Sequence, residues 1–177
     1  MNSRSQVKKL HERFTVNLFL KAFNFRYHTD FKVVDEPDPP EAIVQSKNAT
    51  RWVEVTTAYL SEEYAMDLHS YATEGEKHKP VSQDGLINPD EQFAKQFVKV
   101  VKDKLEKPTH QPFFNQYAHG YLVVSIKYPL FNLKTLKIIQ RIWDETKVMN
   151  TGFFKSIYIT YPVFHDYKVS LWKSNLR

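Results

Sequence analysis

The stretch Pro39-Pro40-Glu41-Ala42-Ile43-Val44, a short polar turn over Ser46 to Thr50, and then Arg51-Trp52-Val53-Glu54-Val55-Thr56-Thr57 decides how this chain is read. The Pro pair stops whatever precedes it. The two runs that follow are rich in β-branched and aromatic residues, and the turn between them is too short for a crossover, so they form neighbouring antiparallel strands. Phe31-Lys32-Val33-Val34 reads as a strand ahead of them, which makes a three-strand meander. Upstream, Val7, Leu10, Phe14, Leu18, Ala22 and Phe25 recur every three or four residues, with further apolar residues at Val16, Phe19, Leu20 and Phe23. That predicts a long helix over Gln6–Tyr27, buried on more than one side.

Downstream of the meander, Glu62–Tyr71 has helical character, and Thr73–Asp90 reads as a loop because Gly75, Pro80, Gly85 and Pro89 interrupt it. Phe93, Phe97, Val100, Val101 and Leu105 share one face of a helix over Asp90–Lys107, ended by Pro108. Tyr121 to Ile126 is a nearly continuous apolar run, as in a central strand covered on both sides. A helix over Leu133–Trp143 leads to strands at Ser156–Thr160 and Lys168–Trp172. The order α-β-β-β-α-β-α-β-β predicts an α/β fold, a three-layer-like sandwich with a mixed sheet and helices on both faces. The meander is expected at its centre, and residues 1–177 are expected to form a single domain.

The 177 residues include 13 Phe, 10 Tyr and 3 Trp, enough apolar surface for a real core. No apolar run reaches the roughly 18–20 residues of a membrane span, and Met1 to Leu20 carries Arg4, Lys8, Lys9, Glu12 and Arg13, unlike a signal peptide. Zero Cys excludes disulfides, Cys-based zinc and iron–sulfur sites, and a Cys nucleophile. A cytoplasmic location is the corresponding expectation. Net charge is +5, unevenly spread: residues 1–90 hold 11 Lys and Arg against 14 Asp and Glu, whereas residues 91–177 hold 14 against 6. Asp30, Asp35, Glu36, Asp38 and Glu41 crowd one short segment. Such an acidic patch in a basic protein suits a metal-dependent enzyme acting on a polyanion, and equally a basic domain with an acidic turn.

No Gly-rich phosphate loop, G-x-S-x-G elbow or H-E-x-x-H is present. The seven His lack ligand spacing, and each reads as a surface or structural residue. What remains is the carboxylate pair. Glu41 opens one predicted strand and Glu54 lies inside the next, so a hairpin brings them side by side, where they suit Mg²⁺ or Mn²⁺. Glu54 interrupts an apolar run, and a carboxylate in a central strand is costly unless a metal or a cation compensates it. The other reading is a strand whose Trp52, Glu54 and Thr56 face is solvated.

These residues resemble the PD-(D/E)xK nuclease superfamily, the restriction-endonuclease-like fold. Pro-Pro-Glu41-Ala-Ile-Val stands where the family places its first acidic residue, and Glu54-Val55-Thr56 stands where it has acid-x-Lys. The order α-β-β-β-α-β gives the likeness over roughly residues 5–127. The resemblance implies a metal-dependent phosphodiesterase acting on nucleic acid, DNA before RNA, with Glu41 and Glu54 as metal ligands and Asp38 as the alternative first acid. It departs at the family lysine, which is Thr56 here. In such families a lysine can come from the following helix, and Lys104 falls in helical phase with Phe97, Val100 and Val101. A snorkelling surface lysine is the other reading of Lys104. An acid from the first helix often completes such sites, and Glu12, four before Val16 and seven before Phe19, is that helix's only carboxylate.

Lys95, Lys99, Lys134, Lys137, Arg141 and the loop residues Lys77 and Lys79 are the expected phosphate contacts. A homodimer that cuts both strands is a further implication of the family. Two like charges at the site also imply that Glu54→Gln should stabilise the metal-free protein. The competing function is a nuclease-fold module that lost its chemistry and binds nucleic acid or a protein, a reading that Thr56 favours.

Overall fold

The computed structural model describes residues 4–72, 77–78, 88–148, 152–164 and 166–174. In chain order these form α1 (Arg4–Tyr27), β1 (Lys32–Asp35), β2 (Ala42–Gln45), β3 (Thr50–Tyr59), α2 (Glu62–Ala72) and α3 (Pro89–Leu105). A 3-10 turn at Pro108–His110 then leads into α4 (Gln111–Tyr117), β4 (Gly120–Lys127), α5 (Leu133–Glu145), β5 (Phe154–Val163) and β6 (Asp166–Ser174). The strands make one six-stranded mixed sheet in the order β1-β2-β3-β4-β5-β6. β1, β2 and β3 pair antiparallel, β3, β4 and β5 parallel, and β6 returns antiparallel on β5. The protein is thus α/β, with a mixed sheet between helices. No helix among the described residues is long and apolar enough to cross a membrane.

Alternation along the strands divides the core in two. On one face Val53, Val55, Tyr121, Val123 and Tyr158 meet Val16, Phe19, Leu20 and Phe23 of α1. On the other, Trp52, Ala58, Leu122, Val124 and Ile157 meet Phe93, Phe97, Val101 and Leu105 of α3 and Ile139 of α5. Each fully buried Phe or Leu removes enough apolar surface to contribute about 1.5–3 kcal/mol, so both helices are bound to the sheet mainly by these side chains. Gly120 begins β4 because nothing larger fits: a Cβ there would lie 2.4 Å from the Trp52 ring. The Trp52 indole N–H donates to the Ala118 carbonyl at 2.8 Å, which fixes that ring across the α3 face.

Three expectations are corrected. The meander lies at one edge of the sheet, and only β3 is central, because β3 takes β4 as its second neighbour. α1 is buried along one stripe only; the opposite stripe exposes Leu10 (57%), Phe14 (45%) and Phe25 (86%). The segment after Pro108, for which the sequence predicts no element, forms the 3-10 turn and α4, each with a Pro in its first turn where a missing N–H costs nothing. Of the predicted loop, Lys77 is exposed, while residues 73–76 and 79–87, including Lys79, lie outside the described residues.

Candidate functional site

Glu54 is fully buried in the middle of β3. Trp52 and Ala58, on the same side of the strand, belong to the α3 core, and Glu54 therefore points under α3. Lys104, in the last turn of α3, reaches down and pairs with Glu54 Oε1. His110, at the end of the 3-10 turn and also fully buried, places Nε2 3.4 Å from the same oxygen. The contact is a long one, and a His110 ring carrying its proton on Nε2 would direct that N–H toward Glu54 Oε1. Glu54 Oε2 accepts no hydrogen bond from an N–H or hydroxyl group among the described residues, and the Glu41 carboxyl stands within hydrogen-bonding reach of Glu54.

Glu41 precedes β2 by one residue instead of opening it. The β2–β3 register pairs Ala42 with Val53, and one further step sets Glu41 across from Glu54. There the Glu41 Oε2 atom accepts a hydrogen bond from the Val55 backbone N–H at 2.7 Å, taking a β3 edge donor where β2 has ended. The two carboxyl groups titrate in opposite directions. Burial, then the Glu54 charge, pushes Glu41 up to about 8, against the opposing pull of the Lys104 ammonium. Burial also works to raise Glu54, but the His110 ring and Lys104 outweigh it and hold Glu54 below the usual carboxylate range. At neutral pH Glu54 is ionised and Glu41 keeps its proton.

Glu41 also forms a wall of a cleft of about 140 Å³, together with Lys9, Leu10, Glu12 and Arg13 of α1 and Glu36 and Asp38 from the β1–β2 loop. Glu12 is largely buried, 3.4 Å from Lys8. Burial raises its carboxyl above the ordinary range, and Lys8 offsets part of that. Asp38 is exposed, with a positive φ of 48°, in the Pro-bounded loop. Thr56 is half-buried, two positions after Glu54 and on the same side of β3.

The structure thus brings Glu41, Glu54 and Lys104 together, with Glu12 and Asp38 on the Glu41 cleft. His110 escaped the sequence reading; its only local signal is its place between Pro108 and Pro112, a rigid turn directly after a helix. The pairing of Glu54 with Lys104 argues against the expected gain in stability from Glu54→Gln. Glu54 carries the compensated charge, whereas Glu41 relieves the repulsion by keeping a proton.

The expected phosphate contacts are placed elsewhere. Lys95 pairs with Glu91, Lys134 with Asp90, and Arg141 with both Glu91 and Glu145. Asp90, Glu91 and Lys95 lie in the first two turns of α3, with Lys134 and Arg141 on α5, whereas Lys104 meets Glu54 from the last turn of α3.

Among the described residues no three His, Asp or Glu side chains form a group that could hold a metal. The arrangement is a two-carboxylate site. It offers one buried acceptor oxygen without an N–H or hydroxyl donor, a second carboxyl with a raised pKa, and an ammonium at hand. No protein-family model matches this chain, and no curated protein or solved structure matches it significantly.

Proposed function

We propose that this protein is a Mg²⁺- or Mn²⁺-dependent phosphodiesterase of the nuclease type, a PD-(D/E)xK-like enzyme whose lysine comes from α3. The observation that carries the reading is Glu54: a fully buried strand carboxylate with one oxygen on Lys104, the other with no N–H or hydroxyl donor, and the Glu41 carboxyl across from it. Two buried carboxyl groups side by side hold together without metal only because one keeps a proton, and a divalent cation would take the place of that proton. The residues fit such an ion, since Mg²⁺ takes one or two carboxylates plus waters and substrate phosphate. The order α1, β1, β2, β3, α3, β4 supports the family resemblance, with α2 as an addition between β3 and α3 and the 3-10 turn and α4 as additions between α3 and β4.

Glu41 and Glu54 would hold the ion, with Asp38 or Glu12 completing the cleft. The ion when bound lowers the pKa of a water and neutralises phosphate charge. The chain's own residues have three tasks. Glu41 would hold the ion as a carboxylate, its proton passing to solvent, since a ligand carboxyl must be ionised. Lys104 holds a positive charge beside the carboxylates, where it orients a water or stabilises charge building on the phosphate. Thr56 can hydrogen-bond water or phosphate but supplies no charge, so the ammonium of α3 stands in for the family lysine.

The test is a panel of double-stranded, single-stranded and branched DNA and RNA, assayed with Mg²⁺ and Mn²⁺ on wild type, Glu54→Gln and Lys104→Ala. Cleavage by wild type that falls roughly 10²–10³-fold in Lys104→Ala and disappears in Glu54→Gln supports the reading. Cleavage that survives both substitutions places the chemistry elsewhere. Metal-independent, salt-sensitive binding of nucleic acid without cleavage would favour the inactive binding module that Thr56 suggests.

A further inference from the structure

The histidine beside Glu54 sits among groups that give it no reason to be there. Its ring lies 5.3 Å from the Trp52 ring, 5.1 Å from Phe154 and 6.2 Å from Phe153, measured between centroids, and it is fully buried. An aromatic hydrocarbon would pack equally well there. An imidazole in such a box is expensive unless it meets a polar partner, and Glu54 Oε1 is at 3.4 Å. The turn that carries His110 has little freedom. Pro108 and Pro112 restrict the backbone on both sides, and the His110 N–H donates to the Lys107 carbonyl at 3.4 Å.

The two oxygens of Glu54 are treated differently: Oε1 is the one that meets both Lys104 and His110, and Oε2 accepts a hydrogen bond from neither. We infer that His110 is a positioning residue, which together with Lys104 pins Glu54 Oε1 so that Oε2 is left to a divalent cation. This rests on the proposed metal-dependent reading and adds a residue that acts on the metal through its ligand. Partners that orient a ligating carboxylate typically account for 10–100-fold in metal affinity.

The experiment measures Mn²⁺ affinity, by electron paramagnetic resonance of the free ion, and thermal unfolding on the full chain for wild type, His110→Phe and His110→Gln. Phe fills the aromatic box and has no donor; Gln offers an amide N–H but packs poorly. Positioning and packing therefore rank the two variants in opposite orders. The inference expects His110→Phe to keep its melting temperature and bind Mn²⁺ about 10–100-fold more weakly, and His110→Gln to melt lower but bind closer to wild type. Should His110→Phe fail to fold, His110→Leu takes its place. Wild-type Mn²⁺ affinity in the Phe or Leu variant, or a Gln variant no better than either, overturns the inference alone. A wild-type protein that takes up no Mn²⁺ overturns the metal reading and the inference with it.

Discussion

Glu54 meets its cation inside the protein, whereas Glu91, on the outer face of α3, meets Arg141 in water. Glu54 has no exposed surface, and its pairing with Lys104 replaces lost hydration. The Glu91 side chain is one-third exposed; Arg141 donates to both its oxygens at 2.8 and 3.0 Å, and Lys95 stands 4.0 Å away. By count of contacts the surface group is the richer of the two. By energy it is the poorer, because exposed pairs exchange one good solvent for another, while a buried carboxylate has only the partners the fold provides. The difference bears on function too. Charges that compensate one another at the surface are spent; in the cleft Glu12 and Glu36 are likewise paired, with Lys8 and Arg13, and Glu41 is held by a backbone N–H instead of a cation.

The largest break in this comparison should come from Lys104→Ala. It leaves Glu54 buried without its ammonium, and since Lys104 itself is partly exposed, a loss of about 2–3 kcal/mol is expected in urea unfolding of the metal-free protein. A loss below measurement error would mean that water reaches Glu54 and that the site is not a low-dielectric one. Glu54→Gln comes next. It removes the charge that Lys104 and His110 face and should destabilise the metal-free protein by about 1–2 kcal/mol. A more stable Glu54→Gln protein would show that repulsion from Glu41, and not pairing with Lys104, dominates.

Third is the pH dependence. Glu41 has a folded pKa of about 8, above the 4.5 of an unperturbed glutamic acid, so its contribution is complete below pH 4.5 and is lost as pH rises toward 8. Glu54 shifts downward, so its contribution holds above pH 4.5 and is lost as pH falls below it. Metal-free wild type should therefore lose stability between about pH 5 and pH 8. Glu41→Gln should flatten that decline in a series of thermal melts, and an unchanged slope would remove Glu41 from the coupled pair. Smallest of all, Arg141→Ala should leave the urea midpoint where it is. A clear shift there would mean that the Glu91 and Arg141 pair behaves as the buried one does.

The elements and most of their boundaries were readable because each carries its own period. Trp52-Val53-Glu54-Val55 alternates, α3 repeats its Phe and Val every three or four residues, and the phase that buries Phe97 and Val101 carries Lys104 inward. Glu12 was readable for the same reason, from its spacing to Val16 and Phe19. Where periodicity ends, so did legibility. α1 has two apolar stripes of similar strength, and nothing local says which one the sheet covers. The central position assigned to the meander failed because β4, the second partner of β3, is brought in only by the long excursion through α2, α3 and α4. His110 meets Glu54 only through tertiary folding. The pairing of Arg141 with Glu91 joins α5 to α3, so a tally of Lys and Arg could not register that this positive charge is already answered.

The hydrogen bond from the Val55 amide to Glu41 makes one backbone position a built-in gauge of the cleft. Most amides of β3 are held by neighbouring strands and exchange with solvent only when the sheet opens. This one is held by a side chain whose charge varies. An ionised carboxylate accepts more strongly than a neutral carboxyl, so the Val55 proton resonance should move with pH around the Glu41 titration. If a cation draws the carboxylate away, that proton should exchange faster while its neighbours stay protected. A single resonance in a heteronuclear spectrum can thus follow proton and ion at the cleft in the unmodified protein, without substrate.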